Sequence, residues 1–247
     1  MPVIDGFHTL EKGDGWVNKT DDSFRLTIPP VLKDHYHDAQ ISSYIKRADF
    51  SYEPPVRMTV RAYAEGDIQG TAGFGFWNLP TVNNLTSLRL IKALWFFFGS
   101  EHNNMQLAQG VQGHGWKAAT FDSTRWQFLA LLPTAPIGFL LMRVPFLYNL
   151  LWKSIGQPAI GVNEKLLSSD LLKSVHDYTI EWRKDGVTFS VDSEVVMRTT
   201  VAPKGKMGFI AWIDNQYAIV TPQGNFGFGL ADVPQAQTLV IEKITIV

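Results

Sequence analysis

The sequence predicts an all-β protein, a two-sheet antiparallel sandwich with an apolar helical insertion at residues 126–175. Three observations carry this expectation. Short stretches of alternating apolar and polar residues recur along the chain, separated by Gly, Pro and Asp turns. A 45% hydrophobic composition over 247 residues supplies a large core. One segment, Trp126 to Leu172, abandons the alternation: Leu, Phe and Met dominate it, and Pro133, Pro136, Pro145 and Pro158 cut it. Sandwiches of this length commonly form one unit, so a single domain over 1–247 is expected.

The elements follow in order. Alternation begins at Ser23 in SFRLTIP and resumes at Ala39 in AQISSYIKRADF. In VRMTVRAY, Val56, Met58, Val60 and Ala62 oppose Arg57, Thr59, Arg61 and Tyr63. TAGFGFWNLP sets Phe74 and Phe76 against Gly73, Gly75 and Trp77. The run Leu94–Trp95–Phe96–Phe97–Phe98 ends at Gly99 and Ser100. As a strand it sends Trp95 and Phe97 to one face and Leu94, Phe96 and Phe98 to the other. GWKAATFDS is the next strand, and the helical segment follows, with an N-cap at Ser168 or Ser169. HDYTIEWRKDGVTFSVDSEVV reads as strands joined at Lys184-Asp185-Gly186, a good hairpin turn. GKMGFIAWID and QTLVIEKITIV complete the set.

Bulk properties exclude several functions. The net charge is −1 and Lys and Arg are scattered, so no nucleic-acid partner is expected. With no cysteine there is no disulfide, no Cys-ligated zinc and no thiol nucleophile. The N-terminal stretch has neither a basic nor an apolar signal region, so a cytoplasmic protein is expected, with membrane association left open. Residues 128–152 are long enough to span a bilayer, but three prolines and Arg143 oppose that. The segment is then a packed helical pair, a lid over an apolar pocket, or an element dipping into a membrane surface. His35 and His37 in DHYHD have strand spacing for a metal, but a polar loop explains them equally. No metal and no cofactor is expected.

The segment HDYTIEWRKDGVTFSVDSEVV resembles the laminarinase-like branch of glycoside hydrolase family 16. His176, Tyr178, Ile180, Trp182, Val187, Phe189, Val191 and Asp192 match its pattern, while Ser193 stands where glycine is usual. The order TAGFGFWNLP, aromatic strand, GWKAATFDS is also similar. The resemblance implies a concanavalin A-like jelly roll. It also implies a catalytic strand at Ala93–Gly99 carrying Glu-x-Asp-x-Glu, whose alternate carboxylates reach one sugar bond. No such motif occurs in the sequence; its positions hold Trp95 and Phe97. The retaining mechanism therefore does not carry over.

Candidate site groups lie at strand ends. Asp214, beside Trp212, is a carboxylate in an apolar setting, and His114, Glu101 and His102 are acid/base candidates. Trp77, Trp95, Phe97, Trp116, Trp212, Asn215 and Tyr217 are expected to line a concave face that binds ligand. The leading expectation is a lipophilic small molecule held there under the helical lid, with an isomerisation, cyclisation or hydrolysis left open. The alternatives are a glycan-binding or glycosidase-like protein with relocated carboxylates, and a sandwich that contacts membrane through residues 128–152.

Overall fold

The computed structural model describes residues 6–20, 23–80 and 90–247. In chain order its strands are β1 (His8–Lys12), β2 (Trp16–Lys19), β3 (Phe24–Ile28), β4 (Asp38–Ser42), β5 (Val56–Glu65), β6 (Thr71–Trp77), β7 (Lys92–Gly99) and β8 (Gly115–Asp122). They continue as β9 (Asn163–Leu166), β10 (His176–Trp182), β11 (Val187–Val191), β12 (Glu194–Thr199), β13 (Gly208–Asp214), β14 (Gln216–Val220), β15 (Phe226–Leu230) and β16 (Gln237–Ile246). Two seven-stranded antiparallel sheets, ordered β1-β4-β13-β6-β7-β8-β9 and β12-β11-β10-β5-β16-β3-β2, pack face to face. β14 and β15 form a separate hairpin. The architecture is the concanavalin A-like jelly roll that the sequence predicts.

Period-two alternation builds the core. From the first sheet Phe74, Phe76, Leu94, Phe96, Phe209 and Ile213 point inward and are buried. They meet Met58, Val60, Tyr178, Ile180, Trp182 and Phe189 of the second sheet. Phe96 sits edge-on to Tyr178 at 5.1 Å and to Phe189 at 5.5 Å.

The residues that carry the family resemblance have a structural role in this fold. Asp192 and Ser193 both have positive φ, 49° and 72°, and turn β11 into β12. Ser193 thus adopts the left-handed conformation that glycine takes more easily. Asp192 accepts from the Asp177 amide at 2.9 Å and pairs with His176 Nδ1 at 2.5 Å, which fixes the turn.

The insertion is helical from Trp126 to Ile160. It comprises α1 (Trp126–Leu131), a 3₁₀ turn, α2 (Ala135–Leu141), and a second arm from Pro145 with a π-wound stretch at Tyr148–Gly156. The prolines stand in the first turns of these segments, where no amide donor is needed. Gly161, at φ 63°, ends the second arm. The rest of the 126–175 span differs from expectation. Asn163–Leu166 is β9, paired with β8 at the sheet edge. Ser169–Lys173 is a 3₁₀ turn capped by Ser168, whose Oγ accepts from the Asp170 amide at 3.2 Å. Cross-strand pairing with β8 outweighs local helix preference there.

Candidate functional site

The outer face of the first sheet is concave and carries a second apolar cluster. Tyr44, Phe50, Phe97, Ile210 and Trp212 are buried in it, with Trp77, Trp95 and Met105 packed against them. The register places these groups in rows across the strands. One row runs Gln40, Trp212, Gly73, Phe97, Lys117, and the next runs Ser42, Ile210, Gly75, Trp95, Ala119. Trp77 stacks on Trp95 at 4.7 Å, and Trp95 stacks on Phe97 at 5.6 Å and meets Trp212 at 5.6 Å. The glycine in the Gln40 row makes room for the rings: a Cβ at Gly73 would lie 2.9 Å from the Trp212 ring and 2.4 Å from the Phe96 carbonyl oxygen.

This aromatic floor underlies a cleft of about 520 Å³. Its walls include Leu79, Ile91, Met105, Leu107 and Phe121, together with Tyr217, Ala218, Val220 and Phe228 from the β14–β15 hairpin. Three larger depressions, about 800, 820 and 750 Å³, lie around Arg57, Glu181 and Arg198, beside residues 30–37, and around Gln109, Arg125 and Lys153. None is lined by tryptophan or phenylalanine.

One end of the cleft is polar. Asp38 on β4 and Asp214 on β13 are directly opposed across the ladder, and both line the cleft. Asp214 Oδ1 accepts from the Thr71 hydroxyl at 2.8 Å and from the Thr71 and Gln216 amides, each at 3.1 Å. The Thr71 oxygen in turn accepts from Trp212 Nε1 at 3.0 Å. Among the described residues Oδ2 has one long contact, 3.5 Å from the Tyr36 hydroxyl. Burial pushes the Asp214 carboxyl up to about 7, against the pull of those donors. Asp38 is raised well above the usual carboxylate range by burial and by the neighbouring Asp214 charge. The two carboxyls face each other across the ladder and titrate as a pair.

Three buried polar atoms on the cleft floor have no hydrogen-bond partner among the described residues: Asp38 Oδ1, Gln40 Nε2 and Tyr44 Oη. Buried polar groups are normally satisfied, so these three atoms are open to water or to polar atoms of a ligand entering the cleft.

Beneath the opposite wall lies a buried ion pair. Lys117 Nζ is 3.6 Å from Glu164 Oε1 and donates to the Met105 carbonyl at 3.3 Å. Glu164 also accepts from the Ala108 amide at 3.1 Å. The pair anchors the loop that supplies Met105 and Leu107. Burial lowers the Lys117 ammonium and raises the Glu164 carboxyl.

The expected site residues divide. Trp77, Trp95, Phe97, Trp212, Asp214 and Tyr217 all line the cleft. Trp116 does not: it pairs with Phe98, shares that residue's inward parity, and is buried between Phe74, Phe96 and Tyr178. The concave position on β8 belongs to Lys117. Asn215 is buried and spends its amide on His37, His35 and Ala231, so it fixes loops. Glu101 and His102 are exposed in the turn after β7, with His102 beside Tyr217 at 5.7 Å, and His114 is half-buried before β8; none of the three lines the cleft. Asn103 of the same turn holds the hairpin: its Oδ1 accepts from the Ala218 amide at 3.0 Å and its Nδ2 donates to Gly70 O at 3.0 Å.

The expected lid over the cleft, residues 128–152, is also corrected. No residue of that segment lines the cleft, because the β14–β15 hairpin intervenes. The insertion braces the hairpin from outside. Phe139 meets Phe226 of the hairpin at 5.5 Å, while Trp152 Nε1 donates at 2.8 Å to Leu107 O of the loop between β7 and β8. Asp38 and Gln40 were missed as site residues, since their alternation in DAQIS is unremarkable until β4 is paired with β13. His37 Nδ1 accepts from the Asp14 amide at 2.8 Å, while His35 is exposed beside Asp34. Among the described residues no three His, Asp or Glu side chains gather for a metal, and no helix is long and apolar enough to cross a membrane.

A model of the glycosyl hydrolases family 16 matches residues 148–217. The matched stretch includes the His176–Asp192 hairpin and ends at Tyr217. Comparison with curated proteins finds no match. Similar solved structures include a legume lectin-like domain from Entamoeba histolytica, with TM-score 0.54, 6% identity, and 99% of this chain and 91% of that one covered. Another is the Bacillus licheniformis β-glucanase, with TM-score 0.51, 11% identity, and 97% and 91% covered. A third is the Crh5 transglycosylase in complex with NAG, with TM-score 0.52, 13% identity, and 98% and 77% covered. The fold is a concanavalin A-like sandwich resembling glycoside hydrolase family 16.

Proposed function

We propose that the protein binds an amphiphilic small molecule in the concave cleft. Its flat apolar body lies on Trp95, Phe97 and Trp212, and its polar end reaches Asp38, Gln40 and Tyr44. The observation that carries this reading is the pairing of an aromatic floor with three unpartnered polar atoms in one cavity of about 520 Å³. The apolar body gains about 25 cal/mol per Å² buried, and the polar end satisfies groups that otherwise cost free energy.

Asp38 and Asp214 give this reading an acid/base extension. Burial raises both carboxyls, Asp214 to about 7, so the pair is suited to hold and release a proton in the neutral range. Asp214 Oδ2, the oxygen with a single long contact, is the atom positioned to accept.

A glycan is the second reading. The three solved structures above favour it, and so does the stacked Trp77–Trp95 pair, since aromatic faces suit the apolar faces of sugars.

Tryptophan quenching separates the two. A terminally brominated long-chain alcohol quenches the cleft tryptophans saturably in the parent protein and in Lys184→Asp, a change on a distant exposed turn, but not in Phe97→Asp. Displacement of the alcohol by laminari-oligosaccharide moves the assignment to glycans. Failure of both ligands in a folded parent removes the cleft as a binding site for either class.

A further inference from the structure

The exposed apolar side chains are not spread evenly. Among the described residues twenty large hydrophobic side chains are exposed, and twelve of them lie between Trp126 and Ile155 or at Phe226 and Phe228. Trp126 and Phe146 are each 72% exposed, Phe228 70% and Ile137 64%. The Phe139–Phe226 contact, at 5.5 Å, brings the insertion and the hairpin together. Single exposed hydrophobes need no explanation, but a contiguous patch marks an interaction face.

Charge identifies the partner. From Trp126 to Val162 the chain holds no Asp or Glu, and its ionisable cations are Arg143 and Lys153. Both are exposed, and neither meets a carboxylate among the described residues. A two-fold dimer through this face would bring the cations of two copies into one interface with no carboxylate from this segment to pair them. An anionic lipid surface complements them, and it accepts the apolar side chains between them. The helical segments are short and broken by proline, which suits lying in an interface and not crossing one.

We propose that the insertion and the β15 side of the hairpin form a docking face for a bilayer containing anionic lipid. Phe228 belongs both to this face and to the cleft wall, so docking sets that wall of the cleft beside the bilayer. That orientation matters to the cleft reading of the previous section and rests on it; docking itself does not.

The test is co-sedimentation with vesicles of phosphatidylcholine alone and of equal parts phosphatidylcholine and phosphatidylglycerol. The parent protein binds the mixed vesicles at least several-fold more tightly, and molar salt removes most of that preference. The double change Ile137→Glu with Phe146→Glu abolishes binding. Arg143→Glu with Lys153→Glu reduces binding to the level seen with phosphatidylcholine. Unfolding midpoints control for folding. Brominated phospholipid, which quenches the tryptophans of the docked face, gives a readout on the parent alone. Trp95→Ala keeps vesicle binding, which separates this proposal from the ligand in the cleft. Absence of binding and quenching with the mixed vesicles overturns the proposal. So does a parent that is dimeric through this face and indifferent to lipid, with Phe146→Glu yielding monomers.

Discussion

The two faces of the first sheet carry nearly the same aromatic load and use it differently. On β7, Phe96 enters a layer closed by Tyr178 and Phe189 of the opposite sheet. Its neighbour Trp95 stacks on Trp77 and Phe97 at the floor of an open cleft. Aromatic content alone therefore does not distinguish core from site. The difference lies in the company each face keeps. The inner face is almost wholly apolar, whereas the cleft face combines rings with an opposed carboxyl pair, a buried ion pair and unpartnered polar atoms.

Neighbouring positions on one strand allow this contrast to be broken directly. Phe96→Ala should cost about 3–5 kcal/mol of stability, as full deletion of a core ring does. Trp95→Ala should cost about 1–2 kcal/mol, because its ring is only half-buried. Denaturant unfolding of the two variants measures both; equal losses would make both faces ordinary core.

The ion pair sharpens the account of the cleft wall. Lys117→Met leaves Glu164 buried without its partner and should destabilise by about 3 kcal/mol. Adding Glu164→Leu should recover most of that loss, since an apolar pair replaces a buried ionic one at little net cost. A double variant no more stable than the single one would show that the pair does more than hold the Met105–Ala108 loop.

Binding should follow a smaller scale. Trp95→Ala removes roughly 100 Å² of apolar contact from a stacked ligand, about 2.5 kcal/mol or ~60-fold in affinity. Fluorescence quenching by the brominated alcohol reads this change.

The carboxyl pair makes a signed prediction about pH. The Asp214 carboxyl is raised to about 7 in the folded state, against about 3.9 in an unfolded chain. The folded state therefore binds the proton more tightly. The stability this contributes is complete below the unfolded value and is lost as pH rises through the folded one. Asp38 acts in the same direction. Thermal melts should show stability falling between about pH 4 and 7. Asp38→Asn with Asp214→Asn should flatten that fall, and an unchanged slope would assign it to other groups.

Much of the fold was legible because period-two alternation is local. The run Leu94–Phe98 shows its two faces without any partner strand, and the Lys184–Gly186 turn announces its hairpin. What escaped the sequence was non-local. Trp116 reads as a cleft residue until β8 is registered against β7, which sets it beside Phe98 and gives the cleft position to Lys117. Asp38 sits in a stretch that suggests at most a metal, and only β4–β13 pairing brings it opposite Asp214. The insertion reads as a lid because it is apolar. The structure instead interposes the hairpin, and leaves much of that apolar surface facing outward.

The central claim is that the Trp95 face, and not the Phe96 face, receives a ligand. Crystals soaked with the brominated alcohol test it most directly, through the anomalous signal of bromine. The account predicts a bromine peak inside the cleft, between the Trp95–Trp212 floor and Phe228, with the hydroxyl end toward Asp38 and Gln40. A saturating soak that leaves the cleft without bromine, or places it elsewhere on the molecule, would contradict it.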